Sequence, residues 1–123
     1  MMPSPVIKAT FELDANGLPA FVKRGDRKHY RIRLYVENVP DDTYAVTYKL
    51  HESYYDPVRE SRDRAAGFAE DLTSYGDFTV QAKIRSKEGV ATVATPLSAA
   101  LEAGHGAQLP PEIESALKVI RSN

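Results

Sequence analysis

The residues with the clearest chemical potential lie in two short stretches, each next to a run of alternating apolar residues. The first is Leu50–Arg59, which contains a histidine, a serine and two adjacent tyrosines ahead of a proline. The second is Ser74–Phe78, in which an aromatic residue and a glycine are adjacent. Binding residues are often found on loops that a rigid sheet holds in place. Both stretches are therefore candidate parts of a binding site, provided that strands position them.

Several kinds of catalytic and metal chemistry lack the residues that they need. The chain has no cysteine, which excludes thiol catalysis and cysteine-ligated metals. His29, His51 and His105 do not show metal-binding spacing, and the glycines form no phosphate loop. His51 and Ser53 have the right types for a base and a nucleophile, but no acid that would orient the histidine is identifiable. We therefore predict a non-catalytic protein with no metal and no cofactor.

Length, composition and charge predict one ordinary globular domain. The chain has 123 residues, of which 42% are hydrophobic and 27% charged, with a net charge of −1. This balance gives no overall attraction to nucleic acid or to an anionic membrane. No apolar run approaches the roughly 20 residues that span a bilayer, and Met1–Pro5 lacks the pattern of a signal peptide. We expect a cytoplasmic protein without a membrane partner.

Apolar residues alternate with polar ones in four runs, and this period of two predicts half-buried strands. The runs lie at residues 6–13, 30–36, 44–50 and 78–85, and residues 90–95 predict a return strand after a hairpin. No helical pattern lies between them, so we predict an all-β antiparallel sandwich. Its predicted inter-sheet core is Ile32, Leu34, Val46, Tyr48, Leu50, Phe78, Val80 and Ile84.

The segment after the last predicted strand is harder to assign. Leu97–Glu102 could extend that strand, although it is rich in alanine. Gly104-His105-Gly106 predicts a flexible link with an exposed histidine. Beyond it, proline at 111 can open a helix, since its missing N–H has no partner in the first turn.

Ile113, Leu117 and Ile120 recur at helical spacing in this last segment. We therefore divide the chain into a sandwich domain at 1–103 and a linker with a short amphipathic helix at 104–123. That helix either caps the sandwich or docks elsewhere, and we expect the domain to fold without residues 108–123.

Cations crowd the stretch Lys23–Arg33, where six lysines and arginines stand against the single acid Asp26. One interpretation is a solvated turn that leads into a strand. The other is a local surface for an anion or an acidic peptide. A dedicated nucleic-acid binder is disfavoured, because the isoelectric point is about 6.3.

The two polar stretches together resemble the signatures of YEATS domains. Val46–Arg59 is similar to the first signature, in which a strand ends in Leu-His-x-Ser and an aromatic residue, followed by proline and a basic residue. Ser74–Val80 resembles the second, an aromatic residue with glycine beside it and then a phenylalanine that opens a strand. The resemblance is good over 43–87 and is more like the bacterial branch of the family than the nuclear one.

This resemblance implies an immunoglobulin-like sandwich that binds acylated lysine on a peptide or protein. It implies that Tyr54 and Tyr75 sandwich the flat acyl group, that Ser53 hydrogen-bonds its amide and that His51 orients the serine. Gly76 and Phe78 of the second signature belong to the same slot.

Two departures from the family pattern affect this slot. Tyr54 stands where phenylalanine is usual, and Asp77 would bring a charge close to an apolar acyl chain. If the slot binds acyl-lysine, Tyr54 and Tyr75 should face each other across it, with Ser53 at its floor.

An alternative function is a protein-interaction adaptor in a bacterial signalling or defence assembly, without an acyl-lysine pocket. Such an adaptor would use a sheet edge or the C-terminal helix. It predicts a filled slot and an exposed apolar stripe on residues 113–120.

Overall fold

A computed structural model describes residues 4–123 as two antiparallel β-sheets with two helices at the C-terminal end. Met1–Pro3, where the predicted domain begins, lie outside the described residues. Neither helix of residues 4–123 has the length and apolar character of a membrane-spanning segment.

The elements follow one another with short connections. The strands are β1 (Val6–Phe11), β2 (Phe21–Arg24), β3 (Arg27–Glu37), β4 (Ala45–Lys49), β5 (Val58–Ser61), β6 (Glu70–Ser74), β7 (Thr79–Ser86) and β8 (Gly89–Pro96). A short 3₁₀ turn occupies Arg64–Ala66. The helices are α1 (Leu97–His105) and α2 (Pro111–Ser122).

The long strand β3 organises the first sheet. It pairs with β1 and β2 along one edge and with β6 along the other. The second sheet has the order β5-β4-β7-β8. All pairings are antiparallel, so the predicted all-β antiparallel sandwich is confirmed.

The predicted core lies between the two sheets. Seven of its eight members are buried, with at most 4% of their surface exposed, and Phe78 is half-buried against them. Tyr48 also donates a hydrogen bond of 2.7 Å from its hydroxyl to the carbonyl of Phe68. A buried carbonyl without a partner is costly, and this bond satisfies it.

Leu97–Glu102 is helical, so its predicted extension of the last strand is wrong. Leu97, Ala100 and Leu101 are buried at the i, i+3, i+4 spacing of a helix face. The carboxylate of Asp77 accepts hydrogen bonds from the backbone N–H of Ser98 at 2.9 Å and from its hydroxyl at 2.6 Å. A negative charge at a helix N-terminus stabilises it, and here that charge comes from a residue far away in sequence.

Helix α1 packs against strand β1, and its last turn contains Gly104 and His105. A Cβ on Gly104 would overlap the carbonyl of Ala9, so only glycine permits this approach. His105 is half-buried, and its Nε2 accepts a hydrogen bond of 2.9 Å from the backbone N–H of Phe11. The predictions of a flexible link and an exposed histidine are therefore wrong.

The hydrogen bond between His105 and Phe11 predicts that the protein is less stable in acid. Burial lowers the pKa of His105, so the unfolded chain takes up the proton first as the pH falls. The contribution of this bond is complete above about pH 6.5 and is lost below it. The amide oxygen of a glutamine accepts a hydrogen bond but does not titrate. We therefore expect the melting temperature of His105→Gln to fall less than that of the parent between about pH 7.5 and pH 5.5. An equal loss in both proteins would contradict this role.

The apolar face of α2 belongs to the core of the sandwich. Ile113, Ala116, Leu117 and Ile120 are at most 5% exposed and are part of the same buried cluster as the sheets. Their burial contradicts the exposed apolar stripe that an adaptor would need. The division into 1–103 and 104–123 is untested, but because the buried face of α2 belongs to the common core we now expect residues 108–123 to be needed for folding, contrary to the expectation from the sequence.

Candidate functional site

The two polar stretches form two neighbouring loops, one between β4 and β5 and one between β6 and β7. Between them lies an open cleft of about 540 Å³. All six residues that the sequence predicts as a ligand site line this cleft: His51, Ser53, Tyr54, Tyr75, Gly76 and Phe78. Strand pairing explains the convergence, because β4 and β7 are neighbours in one sheet and β6 is an outer strand of the other.

Tyr54 and Phe78 form the apolar side of the cleft. Their ring centroids are 5.5 Å apart with the planes tilted by 57°. The Tyr54 hydroxyl donates a hydrogen bond of 2.6 Å to the backbone carbonyl of Thr73, and burial raises the pKa of this phenol. The hydroxyl that distinguishes Tyr54 from the usual phenylalanine is therefore bound to strand β6.

His51 and Ser53 form a polar pair at the mouth of the cleft. The Nδ1 atom of His51 lies 2.8 Å from the Ser53 hydroxyl and 3.1 Å from the Ser53 backbone nitrogen. A backbone N–H can only donate, so Nδ1 must be an acceptor, and the Ser53 hydroxyl therefore donates to it as well. The serine oxygen then keeps its lone pairs for an incoming N–H. Ser53 is exposed, so it lies at the mouth and not at the predicted floor of the cleft.

Tyr75 lines the cleft next to the hairpin between β2 and β3. Its side chain is 41% exposed, and its ring centroid lies 5.0 Å from that of His29. The guanidinium of Arg27 lies 4.6 Å from the ring centroid, within the range of a cation–π contact. The ring therefore has neighbours on the hairpin and is not part of the core.

Hydrogen bonds within the loop and to the C-terminal end of α2 hold the loop that carries Tyr75 in place. The Ser74 hydroxyl donates a hydrogen bond of 2.7 Å to the Gly76 carbonyl. The Asp77 backbone N–H donates to the Asn123 carbonyl at 3.3 Å, and a Cβ on Gly76 would come within 3.0 Å of Asn123. Because the Asp77 carboxylate is bound to Ser98, its charge is already paired with the start of α1.

Arg59 connects the first loop to strand β6. It donates hydrogen bonds to the carbonyls of Asp71 at 2.6 Å and Asp56 at 3.0 Å. Its guanidinium lies 5.8 Å from the Tyr54 ring centroid and 3.8 Å from the Glu70 carboxylate. Much of its charge is thus engaged within the fold, and it keeps Tyr54 in place.

The structure adds cleft residues that the sequence did not single out as a site. These are Arg24, His29, Tyr55, Arg59, Thr73, Ser74, Asp77 and Asn123. Tyr55, Arg59, Ser74 and Asp77 belong to the two polar stretches, and Arg24 and His29 to the cluster of cations at 23–33, whereas no sequence signal pointed to Thr73 or Asn123. Burial lowers the pKa of His29, and the neighbouring charges of Arg24 and Arg27 lower it further.

Residues 4–123 contain no cluster of acidic and histidine side chains that could hold a metal ion. No carboxylate of the described chain hydrogen-bonds to His51, so the ring lacks an acid that would orient it for catalysis. The arrangement therefore offers aromatic surfaces and hydrogen-bonding groups to a ligand.

The order and spacing of these residues match a known family. Residues 30–94, just over half of the chain, match the family model of the prokaryotic YEATS domain. The chain belongs to the prokaryotic YEATS domain family. The match contains both loops of the cleft, and the family's prokaryotic description agrees with the resemblance to the bacterial branch. No curated protein sequence matches the chain.

Solved YEATS domains share the fold. The crystal structure of yeast Yaf9, an AF-9 homologue, superposes with a TM-score of 0.54 and 21% identity, over 76% of this chain and 65% of that chain. The Yaf9 YEATS domain recognising an H3K122suc peptide superposes with a TM-score of 0.54 and 19% identity, over 89% of this chain and 78% of that chain. The Yaf9 YEATS domain bound to H3K27ac gives 0.52 and 19%, with the same coverage. The first match spans just under two thirds of the Yaf9 chain, and the likeness is one of fold.

Proposed function

We propose that this YEATS domain is a non-catalytic module that binds an acylated lysine side chain of a peptide or protein in the cleft. The observation that carries the proposal is the convergence of two sequence-distant loops on one open cleft lined by Tyr54, Tyr75 and Phe78, with Ser53 at its mouth. The Yaf9 YEATS structures with H3K122suc and H3K27ac give this proposal its ligand class.

The aromatic residues suit the flat part of such a ligand. An acyl-lysine ends in a planar amide, which stacks on an aromatic face with a gain of about 1 kcal/mol beyond the area that it buries. Tyr75 presents an exposed ring for this contact, and Tyr54 and Phe78 present an apolar wall. An unmodified lysine would bring an ammonium group into this partly apolar cleft, at the cost of its hydration.

The polar pair suits the amide N–H of the same ligand. Because the Ser53 hydroxyl donates to His51, its oxygen is free to accept from the ligand. His51 holds the serine in this orientation through two contacts to the same ring nitrogen. A charged lysine ammonium could also donate to this oxygen, so Ser53 supplies affinity and the aromatic wall supplies the preference for the acylated form.

The geometry favours binding over nucleophilic catalysis by His51 and Ser53. A catalytic histidine needs a partner on its second nitrogen, and within residues 4–123 no carboxylate provides one. The adaptor alternative expected a filled slot, whereas the cleft is open.

Ser53→Ala is expected to weaken the binding of an acetyl-lysine peptide by about 0.5–1.5 kcal/mol, the net worth of one hydrogen bond, because Ser53 lies at the exposed mouth of the cleft where water can take its place. The measurement is calorimetric titration. Ser86→Ala makes the same chemical change at the turn between β7 and β8, outside the cleft, and should bind like the parent. Unchanged affinity in Ser53→Ala would remove the serine from the proposed site.

A further inference from the structure

We propose that the cleft selects acyl-lysines in an acidic sequence context, because a basic hairpin borders it on the side of Tyr75. This inference rests on the proposed function and adds the chemical class of the partner. It concerns the residues on either side of the acylated lysine, which must leave the cleft across its rim.

The hairpin between β2 and β3 carries four exposed cations, which are Lys23, Arg24, Arg27 and Lys28. Arg24 lines the cleft, and Arg27 lies over the Tyr75 ring. None of the four forms an ion pair with a residue in the described range. Arg24 and Arg27 are cross-strand partners on one face of the hairpin, the face of the cleft, so their charges are available to a ligand. Lys23 and Lys28 form the next cross-strand pair, on the other face, where the Lys28 ammonium lies 4.7 Å from the Phe21 ring centroid.

The acids near the cleft do not offset this charge. Asp77 lines the cleft, but its carboxylate is held by Ser98 at the start of α1. Glu52 and Asp56 belong to the other loop and do not line the cleft. Asp26 is the single acid of the hairpin and lies in its turn.

A peptide with glutamate or aspartate beside the acylated lysine would bring its charge to Arg24 and its neighbours as the chain passes the rim. Each exposed ion pair of this kind contributes little to the binding free energy. Together, several such pairs make binding selective between partners. A peptide with lysine or arginine in the same places would meet repulsion. A protein partner suits this surface better than a nucleic acid, because the chain as a whole carries a net charge of −1.

The experiment compares short peptides that share a central acetyl-lysine and differ in their flanks, which are glutamate, serine-glycine or arginine. An acidic peptide with unmodified lysine and a single-stranded oligonucleotide complete the set. At low salt we expect the acidic acetylated peptide to bind about threefold to tenfold more tightly than the basic one, by calorimetry. Added salt should reduce the difference, since it screens exposed charges.

Arg24→Glu should remove most of the preference for the acidic over the basic acetylated peptide, because it replaces the one hairpin cation that lines the cleft with an acid. Lys83→Glu makes the same change in charge on an exposed residue of β7 away from the cleft, and should keep the parent's preference. Equal binding of the two flanks in the parent, an unaltered preference in Arg24→Glu, or tighter binding of the oligonucleotide would overturn the inference. Failure of every acetylated peptide would instead overturn the proposed function, and equal binding of the acetylated and unmodified acidic peptides would do the same.

Discussion

A protein truncated before residue 108 is expected to lose its cooperative unfolding transition. The removed segment contains Ile113, Leu117 and Ile120, which are at most 5% exposed in the core. Loss of a buried leucine or isoleucine side chain costs about 2–5 kcal/mol each. Three such losses reach the whole stability of a typical domain, about 5–15 kcal/mol. Circular dichroism during thermal melting is the measurement.

Single substitutions on α2 give the matched control for this truncation. Ile120→Ala removes a side chain with no exposed surface, and Val119→Ala removes one that is 37% exposed. We expect a clear fall in melting temperature for the first and little change for the second. A truncated protein that melts cooperatively near the parent's temperature would show that 1–103 and 104–123 are separate units, as the sequence suggested.

Tyr75→Ala is expected to abolish binding of an acetylated peptide without unfolding the protein. The ring is 41% exposed and contacts His29 and Arg27 at the surface, so its loss leaves no cavity in the core. It is also the most accessible aromatic face of the second loop for stacking on a planar amide. Titration of the variant, with melting curves alongside, measures both parts of the expectation.

Tyr44→Ala is a matched control for Tyr75→Ala. Tyr44 is 48% exposed, lies 5.9 Å from the guanidinium of Arg62, and is outside the cleft. Tyr44→Ala therefore removes a tyrosine of similar exposure with a similar cationic neighbour, and peptide binding should be retained. If Tyr75→Ala unfolds the protein, Tyr75 has a structural role. If both variants bind equally well, Tyr75 is not part of the site and the proposed slot is wrong.

Strands β1, β3, β4, β7 and β8 were predictable because each carries its own pattern, whereas β5 and β6 were not predicted. Ile32, Leu34, Val80 and Ile84 alternate with polar residues, and a period of two places them on one face whatever their partners are. The approach of the two loops followed from resemblance to a family, since no local pattern says which strands are neighbours.

The errors concern residues whose structure depends on distant partners. Leu97–Glu102 became helical with the help of Asp77, and His105 is half-buried because it caps the backbone of Phe11. Arg24 and His29 reach the cleft through the pairing of β2 with β3. The contacts of Asp77 and His105 join residues 21 and 94 positions apart, which propensity and periodicity do not describe.

The most direct test of the acyl-lysine cleft is an NMR titration of the isotopically labelled protein with one peptide in two forms, acetylated and unmodified at the same lysine. We expect that only the acetylated form shifts backbone amide signals, and that these signals belong to the two loops, at Ser53, Tyr54, Tyr75 and Gly76. Shifts of equal size with the unmodified peptide, or shifts confined to residues outside the cleft such as Lys87 and Glu88, would contradict it.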